Sequence, residues 1–188
     1  MRLENSFSKL KIVLVEPIGP LNVGSIARLC ANFEVDELRI VSPKCDISSL
    51  EARKMALKGQ MYLENCKIFN RLEQAIFDCD LVLASSGRIE KSKDSFFESP
   101  EDISKWILSL KEIKNLAIIF GREDRGLTND ELLLAHKTFC IPTSCNYPSL
   151  NLSHAVSITL YELSKTGKSD LNIESKVFNL ASSKQITD

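Results

Sequence analysis

The sequence predicts one α/β domain built on a mainly parallel sheet. Three observations carry that prediction. Six short apolar runs alternate with longer segments of helical character. The runs are continuously apolar rather than alternating, as expected for strands covered on both faces. Several of the intervening segments open on a helix N-terminal signature.

Strands are expected at Leu10–Val15, Leu38–Val41, Lys67–Phe69, Leu81–Ser85, Ala117–Phe120 and Thr138–Ile141. Asn22 is placed to cap a helix over Val23–Phe33, whose Ile26, Leu29, Cys30 and Phe33 form one apolar stripe. Ser48 and Glu51 make a capping box for Leu50–Leu57, and Gly59 is placed to stop that helix. Ser99, Pro100 and Asp102 open Ile103–Leu110, with Pro100 at the first helical position. Thr128 and Glu131 open Leu132–Ala135, and Asn151 or Ser153 begins Ala155–Leu163. The polar, charged stretch Arg88–Glu98 reads as a loop. The domain is expected to occupy residues 1–164, with 165–188 as a partly ordered tail rich in Lys, Ser, Asn and Asp.

A chain of 188 residues with 44% hydrophobic content supports one sizeable core and not two. It contains no apolar stretch of about 18 residues, so no membrane span is expected. Near the start, the apolar run Ile12–Val15 is cut off by Glu16 and Pro17, unlike a signal peptide. The six cysteines show no C-x-x-C spacing and there are only two histidines, so reduced thiols, a cytoplasmic location and no metal site are expected. A net charge of −1 counts against a nucleic-acid partner, which calls for a basic face. The local clusters Lys9/Lys11, Arg53/Lys54/Lys58 and Arg88/Lys91/Lys93 soften that objection, although a cluster alone is more often a solvated face.

Three segments carry more than folding requires. Pro17–Arg28 follows a strand and opens a helix, where ligands sit in parallel α/β folds. Gly19 and Gly24 allow close backbone approach, and the guanidinium of Arg28 suits a phosphate. A βα turn, a helix cap and a surface arginine account for the same residues equally well. Ile118–Thr128 contains a G-x-x-x-x-G spacing, but Leu127 stands where a phosphate loop needs lysine, which excludes nucleotide hydrolysis. A charged turn into a capped helix explains Thr128 and Glu131 but not Gly121-Arg122-Glu123. Ile141–Ala155 is a long polar loop between an apolar strand and an apolar helix, a common setting for function. Ser149 and His154 lack the G-x-S-x-G elbow of a hydrolase, so His154 is read as a packing or surface residue.

Together the three segments resemble the SPOUT class of methyltransferases, in its TrmH-like branch and, within that, the TrmJ-type tRNA enzymes. Asn22 and Arg28 are similar to its N-x-x-x-x-x-R motif, Phe120-Gly121-Arg122-Glu123 to F-G-x-E, and Ser149-Leu150-Asn151-Leu152-Ser153 to S-L-N-x-S. Ala52-x-x-Met55-Ala56 and Leu81–Arg88 also match, so the likeness runs from about Leu10 to Leu163. It implies a C-terminal trefoil knot, an exception to the general absence of knots. It also implies methyl transfer from S-adenosylmethionine to a ribose 2′-hydroxyl of RNA, with tRNA (an anticodon-loop nucleotide) favoured over rRNA. A homodimer with composite sites and no metal are implied as well. By the same resemblance the cofactor is held by Ala84, Ser85, Ser86, Gly121, Ile141, Pro148, Ser149 and Leu150. Arg28 engages the RNA phosphate and assists deprotonation, and Asn22 orients Arg28 or the ribose. Glu123, Ser149 and Asn151 hold the loops and the target nucleotide. The competing readings are an rRNA 2′-O-methyltransferase of the same fold and a catalytically silent RNA-binding module. Two features depart from the family: Phe33-Glu34 replaces Phe-Gly, which is expected to alter a helix stop, and TrmJ-type proteins commonly carry a longer C-terminal extension.

Overall fold

The computed structural model describes residues 7–87, 98–110, 112–144 and 146–166. Six strands form one sheet in the order β3-β2-β1-β5-β4-β6. They are β1 (Phe7–Val15), β2 (Glu37–Val41), β3 (Lys67–Phe69), β4 (Leu81–Ser85), β5 (Ile113–Phe120) and β6 (Lys137–Phe139). Every pairing between them is parallel. The register sets Leu14 beside Phe120 and Ala84 beside Ile119, so the carboxyl ends of β1, β4 and β5 finish close together.

Residue alternation along the strands divides the interior in two. Leu10, Ile12 and Leu14 of β1 pack with Leu116, Ile118 and Phe120 of β5 on one face. Helices α1 (Pro20–Asn32), α2 (Leu50–Ala56), α3 (Gln60–Glu64), α5 (Pro100–Ser109) and α7 (Leu152–Thr166) cover it. Val13, Val15, Ala117 and Ile119 face the other way, under the short helices α4 (Leu72–Ile76) and α6 (Asn129–Leu132). A 3-10 turn, Leu57–Gly59, joins α2 to α3. Adjacent β1 and β5 are thus followed by helices on opposite faces. That is the crevice where doubly covered parallel sheets bind ligands.

Several local expectations are corrected. Gly19, not Asn22, caps α1, because Pro20 takes the first helical position and starts the helix earlier. Ser49, not Ser48, accepts from Ala52 to cap α2, while Ser48 donates to Asp46 in the preceding turn. Helices α3 and α4, five residues each, were too short to leave a period. Strands β1 and β5 begin earlier than expected, at Phe7 and Ile113, and α7 runs on to Thr166. Lys11 is not part of a basic surface: it is buried at the sheet and paired with Asp78 at 2.8 Å. Arg39 joins the same buried network through Asp78 and Glu37. Residues 88–97 of the expected loop lie outside the described residues; Glu98 pairs with Phe139 of β6. All but the first two residues of the expected tail also lie outside them.

Candidate active site

Three loops are joined at the carboxyl end of the sheet. β1 ends at Val15, and Pro17–Gly19 lead into α1. β5 ends at Phe120 and turns through Arg122–Gly126, closed by the Gly126 N–H donating to the Arg122 carbonyl at 2.9 Å. Gly121 permits this turn: a Cβ there would fall 2.3 Å from the Gly126 carbonyl carbon. The third loop follows β6, where the Thr143 hydroxyl donates to the Pro148 carbonyl at 3.0 Å.

Glu123 binds the first two loops together. Its carboxylate accepts from the Ile18 and Gly19 backbone N–H groups and from the Asn22 side-chain amide, each at 3.0 Å. Burial raises the Glu123 pKa, but these hydrogen bonds outweigh it and leave the carboxyl below its ordinary value. The Asn22 carbonyl oxygen in turn accepts from the Asn151 amide at 3.0 Å. Asn151 caps α7 by accepting from the Ser153 N–H at 2.9 Å and the Ser153 hydroxyl at 2.8 Å. One polar chain therefore joins all three sequence segments.

Arg122 fastens the outer side of the same turn. Its Nε donates to Glu16 at 2.6 Å, and its two terminal nitrogens donate to Glu131 at 2.8 and 2.9 Å. Glu131 also accepts from the Thr128 N–H in the capping box of α6. Sequence reasoning assigned Arg122 no role. Its only signal was its place between Gly121 and Glu123, since both acidic partners are remote or belong to a separate cap.

A cavity of about 450 Å³ opens between the turn and the third loop. Ser85, Ser86, Gly121, Glu123, Ile141, Pro148, Ser149 and Leu150 all line it, over Phe120, Leu127 and Leu152. Ala84 does not. It is fully buried on β4, one residue short of the cavity, among Val82, Ala117 and Ile119. Asn22 and Asn151 stand behind the rim through their bonds to Glu123 and to each other. No hydrogen bond joins Asn22 to Arg28 among the described residues; the Asn22 amide donates to Glu123 and accepts from Asn151. Arg28 lies about 9 Å further along α1 and on another side of the helix. It is exposed, lines no part of the cavity and has no ion-pair partner among the described residues. His154 is exposed on α7, and His136 accepts from the Val82 N–H at 3.0 Å, so neither enters the cavity. Among the described residues no cluster of His, Cys, Asp and Glu is arranged to hold a metal ion, and no helix is long and apolar enough to cross a membrane.

Residues 9–161, which contain every loop of this site, match the SpoU rRNA Methylase family. The chain belongs to that family. Among its SpoU relatives is a protein of Sulfolobus acidocaldarius named tRNA (cytidine-2′-O-)-methyltransferase TrmJ. The two are 44% identical over 157 residues, 82% of this chain and 64% of the relative. The TrmJ of Methanocaldococcus jannaschii is 42% identical over 156 residues, 82% of this chain and 66% of the relative. This SpoU chain thus spans just under two thirds of the length of those two curated relatives. The crystal structure of TrmJ from Z. mobilis superposes with a TM-score of 0.76 at 30% identity, covering 87% of this chain and 71% of that one. A probable methylase family protein from Haemophilus influenzae superposes with a TM-score of 0.78 at 30% identity, covering 95% and 74%.

Proposed function

We propose that this protein transfers a methyl group from S-adenosylmethionine to a ribose 2′-hydroxyl of RNA, with tRNA, at an anticodon-loop nucleotide, favoured over rRNA. The observation that carries the reading is the cavity between the Gly121–Leu127 turn and the Ile141–Leu150 loop, with Glu123 at its rim and Asn22 and Asn151 bonded in series behind it. The names borne by relatives at 42–44% identity support tRNA as the substrate.

The residues present fit the cofactor. The cavity is within the range of small-molecule sites and combines apolar walls with Ser85, Ser86 and Ser149 hydroxyls. When bound, S-adenosylmethionine supplies a methyl group already activated by a positive sulfur. The protein then has to position the ribose in line and accept or share its hydroxyl proton. Glu123 is committed as an acceptor of three N–H groups, so its role is to fix the loops rather than to take a proton. Ser149 lines the cavity and Asn151 ties the third loop to α1, where both hold the nucleotide. Arg28 remains the group that clamps the phosphate and assists deprotonation. Arginine is too weak a base alone, so the phosphate contact is part of its action.

Arg28 lies outside the cavity of its own chain, and this supports a homodimer with composite sites. Leu21 and Arg28 on α1, and His154 and Tyr161 on α7, repeat at seven residues on exposed faces of two helices that pack together. Leu21 is 51% and Tyr161 56% exposed on these faces, an apolar surface for a second copy. A trefoil knot in the C-terminal part, one domain over 1–164 with a tail at 165–188, and a cytoplasmic location belong to the same proposal.

Calorimetric titration with S-adenosylmethionine or S-adenosylhomocysteine in metal-free buffer should give heat at one site per chain. Incorporation of labelled methyl should favour a tRNA pool over an rRNA pool. Preference for rRNA would move the substrate assignment, and binding of cofactor and RNA without transfer would point to a silent module. Intact Asn22, Arg28, Glu123, Ser149 and Asn151 count against that last outcome.

A further inference from the structure

We infer that the face formed by α1, α2 and the 3-10 turn is a track for the phosphate backbone of the RNA, leading to Arg28. The inference rests on the function proposed above and adds where that substrate lies. The chain carries a net charge of −1, and most of its described cations are consumed in ion pairs. Among the described residues the lysines and arginines outside ion pairs are Lys9, Arg28, Arg53, Lys54, Lys58 and Lys114. Lys9 and Lys114 belong to the amino-terminal halves of the neighbouring strands β1 and β5, away from the carboxyl-end cavity. The other four belong to one helical layer.

Two glycine contacts hold that layer rigidly. Gly24 of α1 lies against Ala52 of α2 so closely that a Cβ would fall 2.2 Å from the Ala52 carbonyl oxygen. Gly59 lies against α1 in the same way, where a Cβ would be 2.7 Å from the Arg28 Cα. Lys58, the chain neighbour of Gly59, is thereby fixed beside Arg28, and Arg53 and Lys54 follow one and two residues after the Ala52 contact. All four cations are exposed. Arg53 is oriented by its Nε, which donates to the Ser48 carbonyl at 3.0 Å. Acidic groups near this band include Asp46, whose pKa is lowered chiefly by hydrogen bonds from Ser48 and to a lesser degree by Arg53, and Glu51 in the first turn of α2. Unpaired cations on a rigid layer retain their field over roughly 8 Å at physiological salt, and a polyanion crossing several of them gains from each by counterion release. The band adjoins the residue assigned to the target phosphate, so a strand placed there runs on directly to the reacting ribose. That continuity favours RNA over an acidic protein or a membrane.

The test compares two double variants that remove equal charge, Lys54→Gln/Lys58→Gln and Lys9→Gln/Lys114→Gln. Binding to labelled total tRNA is measured across a salt series, with cofactor affinity measured in parallel. Loss of the first pair should weaken tRNA binding several-fold and reduce the slope of log K against log salt by about 1.4 to 1.8, as for two lost phosphate contacts. The second pair should leave the slope unchanged, and both should bind S-adenosylmethionine as the wild type does. Equal effects of the two variants, or none from the first, would overturn the track while leaving wild-type methyl transfer intact. A wild type without salt-dependent RNA binding and without transfer would instead remove the functional reading and the track with it. Unaltered tRNA binding with lost vesicle or acidic-peptide binding would assign the band to another partner.

Discussion

The Asn22 side-chain amide donates to Glu123 Oε1 at 3.0 Å and so ties the first turn of α1 to the turn that follows β5. The two residues are 101 positions apart in sequence, yet Glu123 also gathers two backbone N–H groups from the loop before α1. Protonation of this carboxylate would weaken the three hydrogen bonds that join the two loops.

Acid should therefore loosen the site and the fold together. Burial opposes ionisation of Glu123 and Glu131, but hydrogen bonds from Asn22, Ile18 and Gly19 to the first, and from Arg122 to the second, hold both pKa values down. Arg122 likewise lowers Glu16. A carboxyl whose folded pKa lies below its unfolded value stabilises the protein above the unfolded value. That contribution is lost as pH falls through it toward the folded one. Urea unfolding midpoints are expected to hold from pH 7 to about 5 and to decline below about 4.5, near the ordinary glutamate value. Glu123→Gln should cost about 1–2 kcal/mol at pH 7 and flatten part of the acid decline. A variant with the wild-type pH profile would show that Glu123 contributes nothing to the coupling.

Glu34 occupies a position better suited to glycine. It has φ of 53°, and the next N–H, from Val35, donates to the Cys30 carbonyl at 3.0 Å, which is the six-residue bond of a Schellman stop. Replacing the family's glycine has therefore kept the helix stop and added backbone strain. Glu34→Gly should raise stability by about 0.5–1 kcal/mol, and Glu34→Ala should not. Thermal unfolding of the two variants checks this, and equal midpoints would contradict it.

Arg28→Ala should lower turnover by about 10²-fold or more while cofactor affinity is retained, since Arg28 lines no part of the cavity. Parallel loss of both would make the residue structural. If sites are shared between protomers, heterodimers of Arg28→Ala and Asn151→Ala chains can place both lesions in one site. They should then recover up to about half of wild-type activity. Co-expression with two tags isolates them, and inactive heterodimers from folded, dimeric mutants would place the site within one chain or show obligatory coupling.

The framework was legible because parallel strands covered on both faces leave unbroken apolar runs, as Leu81–Ala84 of β4 and Leu116–Phe120 of β5 do. The first residues of β1 and β5 were not, since Ser8, Lys9, Lys114 and Asn115 dilute the apolar signal there. Lys11 reads as surface in sequence because its partner Asp78 is 67 residues away. The three site segments were legible as motifs, but their wiring was not. Asn22 looks like a cap, and only the fold shows that Gly19 and Pro20 take that duty and free its amide for Glu123 and Asn151. The importance of Arg122 likewise depends on bringing Glu16 to the β5 turn.

The chemical position of the transferred methyl group decides between a ribose and a base as the acceptor. Substrate RNA incubated with the protein and methyl-labelled S-adenosylmethionine, then digested to nucleosides and resolved by mass, answers this directly. The expected product is a 2′-O-methyl nucleoside that Arg28→Ala forms about 10²-fold more slowly. Label recovered on a base, with the ribose unmodified, would contradict the assignment of this site to a ribose hydroxyl.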